Sequence, residues 1–292
     1  MPADISPEVA AAGRPEPDGR AARAAAVPEL TATAVSKTYR GHDRTRVLAV
    51  DDVSFTIPPG AAVSLVGASG SGKSTLARLI TGSERPTSGS ITFGDLTVSR
   101  LRPGVQRRLH RQVQMVFQDP YGALNPLHTV AYTLMRPGQN FLGLTAAQAR
   151  DRARELLETV GLSPADQFAA KLPHQLSGGQ RQRVVIARAL ACDPGLIVAD
   201  EPVSMLDVSL RAGVLSLLAD LRLRRGLSLL YITHDLLSAR AITDQVLVLH
   251  QGRVVERGET SEVLRHPRDQ YTIRLLEAIP NPFSRPGNHV TR

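Results

Sequence analysis

Four short runs of apolar residues recur along the chain, each bounded by polar or small residues. They are AVSLVG at 62–67, LIVA at 196–199, LSLLYIT at 227–233 and QVLVLH at 245–250. Strands that are apolar on both faces are typical of a parallel sheet covered by helices on both sides. The pattern therefore predicts an α/β core with a mixed, mostly parallel sheet and flanking helices.

Two further patterns predict additions to this core. Apolar and polar positions alternate at 53–57 and at 91–93, which indicates half-exposed strands and an N-terminal antiparallel β-subdomain. Between Gln118 and Gln175 the apolar period becomes helical, with Thr145 as a predicted N-cap and Gly161 as a stop. We interpret the region from about 119 to 177 as an inserted α-helical subdomain.

Composition limits the remaining possibilities. Residues 1–28 are rich in Pro, Gly, Ala and Arg and are predicted to be a disordered arm, followed by a main domain at 29–258 and a C-terminal extension at 259–292. The single cysteine, Cys192, excludes an internal disulfide framework and any multi-cysteine metal site. No apolar run approaches the ~20 residues needed to span a bilayer.

The stretch GASGSGKST, from Gly67 to Thr75, joins the first buried strand to a helical pattern. It matches G-x-x-x-x-G-K-[ST], a loop whose backbone N–H groups cradle phosphates. Lys73 is expected to reach the β- and γ-phosphate oxygens, and the Ser74 hydroxyl to bind Mg²⁺. The predicted phosphate-contacting residues are Gly67, Ser69, Gly70, Ser71, Gly72, Lys73, Ser74 and Thr75.

Polar residues follow three other predicted strands. Asp200 and Glu201 end the run LIVADE, and we expect Asp200 to hold Mg²⁺ while Glu201 polarises an attacking water. His234 and Gln118 end two more strand-like runs, so they are expected at the same sheet edge, near the γ-phosphate. Tyr39 offers an aromatic face on which an adenine could stack.

A second anion-binding pattern begins at Ser177. Ser177, Gly178, Gly179 and Gln180 stand at the start of an apolar helical pattern, where small residues and the helix dipole favour a phosphate. The same residues could equally serve only to cap their own helix.

Taken in order, these residues resemble the nucleotide-binding subunit of an ABC transporter, a P-loop NTPase, over roughly residues 30–258. The resemblance rests on Tyr39, GASGSGKST, Gln118, LSGGQRQR, LIVADEP, SMLD at 204–207 and His234. It implies ATP and Mg²⁺ as cofactors, with Glu201 as general base, His234 as switch histidine and Gln118 as a residue linked to both metal and permease. It also implies that Asp207 lies in a loop between two subunits.

In this family two cassettes pack head to tail, and the resemblance implies that Ser177, Gly178 and Gly179 face an ATP held by a second ATPase subunit. The stretches at 114–130 and 266–282 are similar to oligopeptide, dipeptide and nickel importers. The resemblance thus implies an ATPase that powers an importer of oligopeptides or dipeptides. Its implied partners are two transmembrane permeases and an extracytoplasmic binding protein, and its implied location is the cytoplasmic face of the cell membrane.

The alternative is a soluble ABC ATPase that serves a cytosolic enzyme or a nucleic-acid complex. The net charge of +8 is compatible with it. Against it, the stretch from Gln118 to Ser177 is compact, without the long coiled-coil insertions or Cys-rich modules of such proteins. We therefore expect no nucleic-acid partner.

Overall fold

The computed structural model describes residues 27–41, 45–100 and 103–278. Most of the predicted N-terminal arm, residues 1–26, and the last part of the C-terminal extension, residues 279–292, lie outside the described residues. The strands in chain order are β1 (Leu30–Arg40), β2 (Arg46–Ile57), β3 (Ala62–Val66), β4 (Ser88–Phe93), β5 (Leu96–Thr97), β6 (Val113–Val116), β7 (Leu196–Asp200), β8 (Ser228–Thr233), β9 (Gln245–His250) and β10 (Arg253–Glu259).

Eleven α-helices lie between or after these strands along the described parts of the chain. They are α1 (Lys73–Ile80), α2 (Pro103–Gln112), α3 (Pro120–Ala123), α4 (Val130–Leu142), α5 (Ala146–Thr159), α6 (Ala165–Ala170), α7 (Gly178–Leu190), α8 (Val208–Arg225), α9 (Leu236–Ile242), α10 (Thr260–Arg265) and α11 (Gln270–Glu277). Within the described ranges, no helix is both long enough and apolar enough to cross a membrane.

The larger sheet has the strand order β10-β9-β3-β8-β7-β6. Every neighbouring pair is parallel except β9 and β10, which are antiparallel. Alternate residues of its central strands enter two different apolar clusters: Ala62 and Val66 pack on one face of β3, and Val63 and Leu65 on the other. The predicted α/β fold with a buried, mostly parallel sheet is confirmed.

The smaller sheet has the order β2-β1-β4-β5 and is antiparallel. The alternating residues at 53–57 lie in β2 and those at 91–93 in β4, as the period of two predicts. Their buried members, among them Val53, Ile57 and Ile91, join the cluster that also covers α1. This sheet therefore packs against the helix that follows the phosphate loop.

Helices α3 to α6 lie between β6 and α7 along the chain. Thr145 caps α5 through a reciprocal capping box with Gln148, and Gly161 follows the helix in a left-handed conformation. Leu156 and Leu157 on α5 are buried in the cluster that includes α7. The helical region is thus joined to the core through α7, the helix that Ser177 begins.

Candidate nucleotide-binding site

The phosphate loop connects the carboxyl end of β3 to the first turn of α1. Two of its glycines are required by close backbone contacts: a Cβ atom on Gly67 would lie 2.2 Å from the Leu249 carbonyl oxygen, and one on Gly72 would lie 2.2 Å from that of Ala49. Gly72 also has φ +107°, which disfavours any other residue. The loop is therefore held close against β9 and β2.

The Lys73 side chain is buried and folded back onto this loop. Its Nζ donates hydrogen bonds to the carbonyl oxygens of Gly67 at 2.8 Å and Ala68 at 2.9 Å. Burial lowers the pKa of Lys73 from its ordinary value, while the nearby carboxylates of Glu201 and Asp200 oppose that shift. The loop thus carries a cation held by two of its own backbone carbonyl oxygens.

Asp200 ends β7 and is 8% exposed. Burial raises the pKa of its carboxyl above the ordinary value, and a hydrogen bond with the Ser74 side chain partly offsets that rise. Within the part of the chain that the structure describes, Asp200 Oδ1 has no hydrogen-bond partner. A buried carboxylate oxygen therefore remains available beside a serine hydroxyl.

Glu201 follows Asp200, and its carboxylate contacts the side chains of two other predicted site residues. Gln118 Nε2 donates a hydrogen bond to Oε2 at 3.2 Å, and His234 Nδ1 lies 3.2 Å from Oε1. The backbone of Glu201 is left-handed, with φ +46°, and its N–H donates to the Ile232 carbonyl at 2.9 Å. Such a conformation is uncommon for a non-glycine residue and turns the side chain toward the phosphate loop's edge of the sheet.

A cleft of about 730 Å³ unites most of these residues. The sequence-predicted residues that line it are Ser69, Gly70, Gly72, Lys73, Ser74, Thr75, Gln118, Glu201 and His234. Asp200 lies in an adjoining cavity of about 510 Å³ that shares Ser74 and Gln118 with the cleft. The carboxyl ends of β3, β6, β7 and β8 thus form one site, because parallel strands end at a common sheet edge.

Tyr39 lies on β1, outside the lining of this cleft. Its hydroxyl donates to Glu84 Oε2 at 2.6 Å, and Glu84 also pairs with Arg78 at 2.9 Å and with Lys37 at 3.2 Å. Burial, and then Glu84, raise the pKa of the Tyr39 phenol. The ring is thus held at the side of α1 by a carboxylate that the sequence did not single out.

Ser177, Gly178, Gly179 and Gln180 do not join this cleft. Ser177 caps α7, with its Oγ accepting from the Gln180 N–H at 3.3 Å while Gln180 Oε1 accepts from the Ser177 N–H at 3.0 Å. Positions 178 and 179 adjoin Leu206 and Leu210, on either side of the exposed Asp207. The structure therefore groups these residues with Asp207 in a second location, apart from Lys73.

Comparison with known proteins places this arrangement in a family. The family model described as ABC transporter matches residues 50–204, from β2 through the loop after Glu201. The chain belongs to the ABC transporter family.

Relatives and solved structures agree with this assignment. An oligopeptide transport ATP-binding protein, OppF, of Lactococcus lactis is 45% identical over 235 residues, which cover 80% of this chain and 73% of the relative. A Brucella ovis protein named for peptide import and ATP binding is 44% identical over 256 residues, covering 87% and 80%. The post-hydrolysis dimer of the ATP-binding cassette MJ0796 with ADP and Pi matches with a TM-score of 0.71 and 32% identity, covering 79% of this chain and 98% of that one.

These comparisons confirm the ABC ATPase assignment and the resemblance to oligopeptide importers. The alternative, a soluble ABC ATPase for an enzyme or nucleic-acid complex, finds no support among these relatives. Sequence reasoning missed three residues of the site: Arg78 and Leu275, which line the cleft, and Glu84, which holds Tyr39. The helical period could have found Arg78, because it lies one turn beyond Ser74, but no motif indicates that Leu275 reaches the cleft.

Proposed function

We propose that this cassette binds and hydrolyses ATP to power peptide import through membrane permeases. The observation that carries the proposal is the Glu201 carboxylate, oriented by Gln118 and His234 beside the Lys73 loop. The peptide cargo is inferred from the relatives named for peptide import and oligopeptide transport. The proposed working unit spans residues 29–258, with the helical subdomain at about 119–177.

The phosphate loop is the proposed ATP site. Ser69, Gly70 and the residues from Gly72 to Thr75 line the cleft at the start of α1, where the helix dipole favours phosphate. Lys73 adds a positive charge that would compensate the β- and γ-phosphates. Tyr39 is the proposed adenine contact, because its ring stands beside the first turn of α1, where Thr75 interacts with its hydroxyl.

The side chains near Ser74 fit a magnesium ion. Mg²⁺ prefers oxygen ligands, and the Asp200 Oδ1 atom without a partner lies beside the Ser74 hydroxyl. We infer that Ser74 and Gln118 bind the ion and that Asp200 holds its ligand shell. When bound, Mg²⁺ would neutralise charge on the phosphate oxygens.

Glu201 is the proposed general base. A water in line with the γ-phosphorus would give its proton to a Glu201 oxygen as its own oxygen forms the new P–O bond and the bond to the ADP oxygen breaks. His234 and Gln118 keep that carboxylate aimed at the cleft, and either side chain could turn to contact the γ-phosphate. Lys73 stabilises charge on the transferred phosphoryl group.

A second cassette is proposed to complete the site. Ser177, Gly178, Gly179 and Gln180 lie away from the cleft of their own chain, yet the N–H groups of Gly178 and Gly179, which the capping box does not use, are potential phosphate donors. Around Asp207, the side chains of Met205, Val208 and Leu210 are 57%, 80% and 40% exposed. A partner cassette, the arrangement described for the dimeric MJ0796 relative, would cover this apolar surface.

A groove in the helical region is the proposed contact with the permeases. It has a volume of about 810 Å³, and its lining includes Tyr121, Leu124 and Pro126. The adjoining cavity beside Gln118 shares Gly122 and Ala123 with this groove. A change at Gln118 would therefore reach the groove within one short helix, which supports the groove as the coupling surface. By family membership, the proposed partners are two permeases at the cytoplasmic face of the membrane and an extracytoplasmic binding protein.

Isolation of the tagged full-length chain from native membranes in mild detergent tests this proposal. We expect two polytopic permeases and a second ABC ATPase to copurify, and peptide to stimulate ATP hydrolysis once the binding protein is added. Copurification of soluble enzymes or nucleic acid alone, without permeases, would contradict the transport role and leave the ATP chemistry in place.

A further inference from the structure

A helix of the C-terminal extension reaches the phosphate loop. In α11, the Tyr271 hydroxyl oxygen accepts a hydrogen bond from the Ala68 N–H at 2.8 Å, across 203 residues of sequence. One turn further along α11, Leu275 lines the nucleotide cleft. Both residues lie in the stretch 266–282 that resembles peptide importers, but neither belongs to the phosphate-loop motif or was predicted to contact the nucleotide.

The bonded N–H belongs to the peptide unit that holds Lys73. The carbonyl of Gly67 and the N–H of Ala68 share one planar group and point in opposite directions. Lys73 Nζ donates to that carbonyl at 2.8 Å, while Tyr271 accepts from the N–H on the other side. Any rotation of this peptide would break both hydrogen bonds, so Tyr271 restrains the orientation of the carbonyl that holds the ammonium.

Tyr271 is itself anchored to the large sheet. Its ring stacks on His250 at the end of β9, with centroids 3.9 Å apart and planes at 27°. Its backbone N–H donates to Asp269 Oδ1 at 2.8 Å, the N-cap of α11. The Glu256 carboxylate on β10 accepts from the N–H groups of Arg268 at 2.8 Å and Asp269 at 3.1 Å. The hydroxyl therefore has a fixed position from which to hold the loop.

We propose that Tyr271 is a positioning residue for the phosphate loop, one that fixes the Gly67–Ala68 peptide and through it the Lys73 ammonium. This inference rests on the proposed function of the loop in binding ATP. A loop that is already ordered loses less conformational entropy when the nucleotide binds, so the hydrogen bond contributes to ATP affinity. Once ATP is bound, the phosphates themselves order the loop, and turnover depends little on Tyr271.

Tyr271→Phe removes only the hydroxyl and leaves the ring stacked on His250. We expect the Kd for ATP, measured by titration calorimetry on the full chain, to rise about three- to tenfold, the effect of one hydrogen bond. In the assembled transporter the KM for ATP should rise by a similar factor, with kcat within twofold of the wild type. A purely structural contribution would instead lower the melting temperature without separating KM from kcat.

Tyr132→Phe is the matched control, because the Tyr132 ring also pairs with a histidine, His128, with centroids 4.2 Å apart. It should leave the Kd for ATP unchanged. His250→Ala removes the stacking partner and keeps the hydroxyl, so it should weaken ATP binding in the same direction as Tyr271→Phe. If the wild type binds ATP and both Tyr271→Phe and His250→Ala bind it with the same affinity as the wild type, this inference alone is overturned. If the wild-type chain fails to bind ATP, the proposed function is overturned as well.

Discussion

Gln118 and Glu201 meet across the edge of the large sheet, where the Gln118 side-chain amide donates to the Glu201 carboxylate with Nε2 and Oε2 3.2 Å apart. The contact follows from strand order, because β7 lies between β6 and β8. Residues after β6 and β8, Gln118 and His234, therefore flank the residue after β7. Both carboxylate oxygens are restrained without any contribution from a ligand, which orients the proposed base toward the cleft.

The first prediction concerns Glu201→Gln, which keeps the shape of the side chain and removes its basicity. We expect ATP hydrolysis to fall at least about a hundredfold, the usual scale of general-base catalysis, while the Kd for ATP stays within about threefold. ATP then persists in the site, so the variant should accumulate as a closed dimer. Phosphate release and size-exclusion chromatography with ATP measure both effects.

Glu158→Gln on α5 is the control for that change, since Glu158 is exposed on the helical region far from the phosphate-loop motif in sequence. Its hydrolysis rate should equal that of the wild type. Steady hydrolysis near the wild-type rate by Glu201→Gln would exclude Glu201 as the base.

The second prediction uses the buried carboxyl of Asp200. Burial raises its pKa above the ordinary 3.8, so the folded chain favours the protonated form. Its contribution to the free energy of unfolding is therefore fully present below pH 3.8 and is lost as the pH rises through the raised value. Asp200→Asn cannot ionise. Without nucleotide at pH 7 it should melt a few degrees above the wild type, and this difference should shrink toward pH 4.

Magnesium separates the proposed metal role of Asp200 from its effect on folding. In the wild type, ATP with Mg²⁺ should raise the melting temperature more than ATP with EDTA, and Asp200→Asn should lose this additional rise. Asp220→Asn on α8 replaces an exposed aspartate and serves as the control. An undiminished Mg²⁺-dependent rise in Asp200→Asn would rule out Asp200 as part of the metal site.

Local rules predicted the central part of the site and missed its long-range supports. The carboxyl ends of parallel strands share one edge, so the strand pattern alone was enough to bring Lys73, Glu201 and His234 together. The pattern gave no indication that Glu201 is left-handed, and the hydrogen bond that accompanies this conformation, from the Glu201 N–H to the Ile232 carbonyl on β8, joins distant parts of the chain. The contact between Ala68 and Tyr271 joins residues 203 positions apart, and no periodicity or spacing encodes such a pair.

The third prediction separates the two possible uses of the Tyr39 side chain, its ring face and its hydroxyl. Tyr39→Ala should weaken ATP binding at least about fivefold, because base stacking on an aromatic ring contributes about 1–3 kcal/mol. Tyr39→Phe removes the bond to Glu84 and keeps the ring, so its Kd for ATP should stay within about threefold. Titration with inorganic tripolyphosphate, which has no base, is the control and should give equal affinities for all three proteins. A loss of affinity in Tyr39→Phe as large as in Tyr39→Ala would contradict stacking as the dominant contribution.

The last prediction concerns coupling between the nucleotide site and the membrane. Tyr121 is 62% exposed, and the buried Arg181 of α7 lies over its ring, with Cζ 4.0 Å from the ring centroid. Tyr121→Glu keeps a partner for Arg181, because a carboxylate can pair with the guanidinium, but it removes the apolar surface that we assign to permease contact. We expect ATP affinity of the isolated chain to stay within about twofold and ATP-driven peptide uptake by reconstituted vesicles to fall at least about tenfold. Leu223→Glu, a charge placed on the exposed face of α8, is the matched control and should transport normally. Normal uptake by Tyr121→Glu would place the coupling surface elsewhere on the cassette.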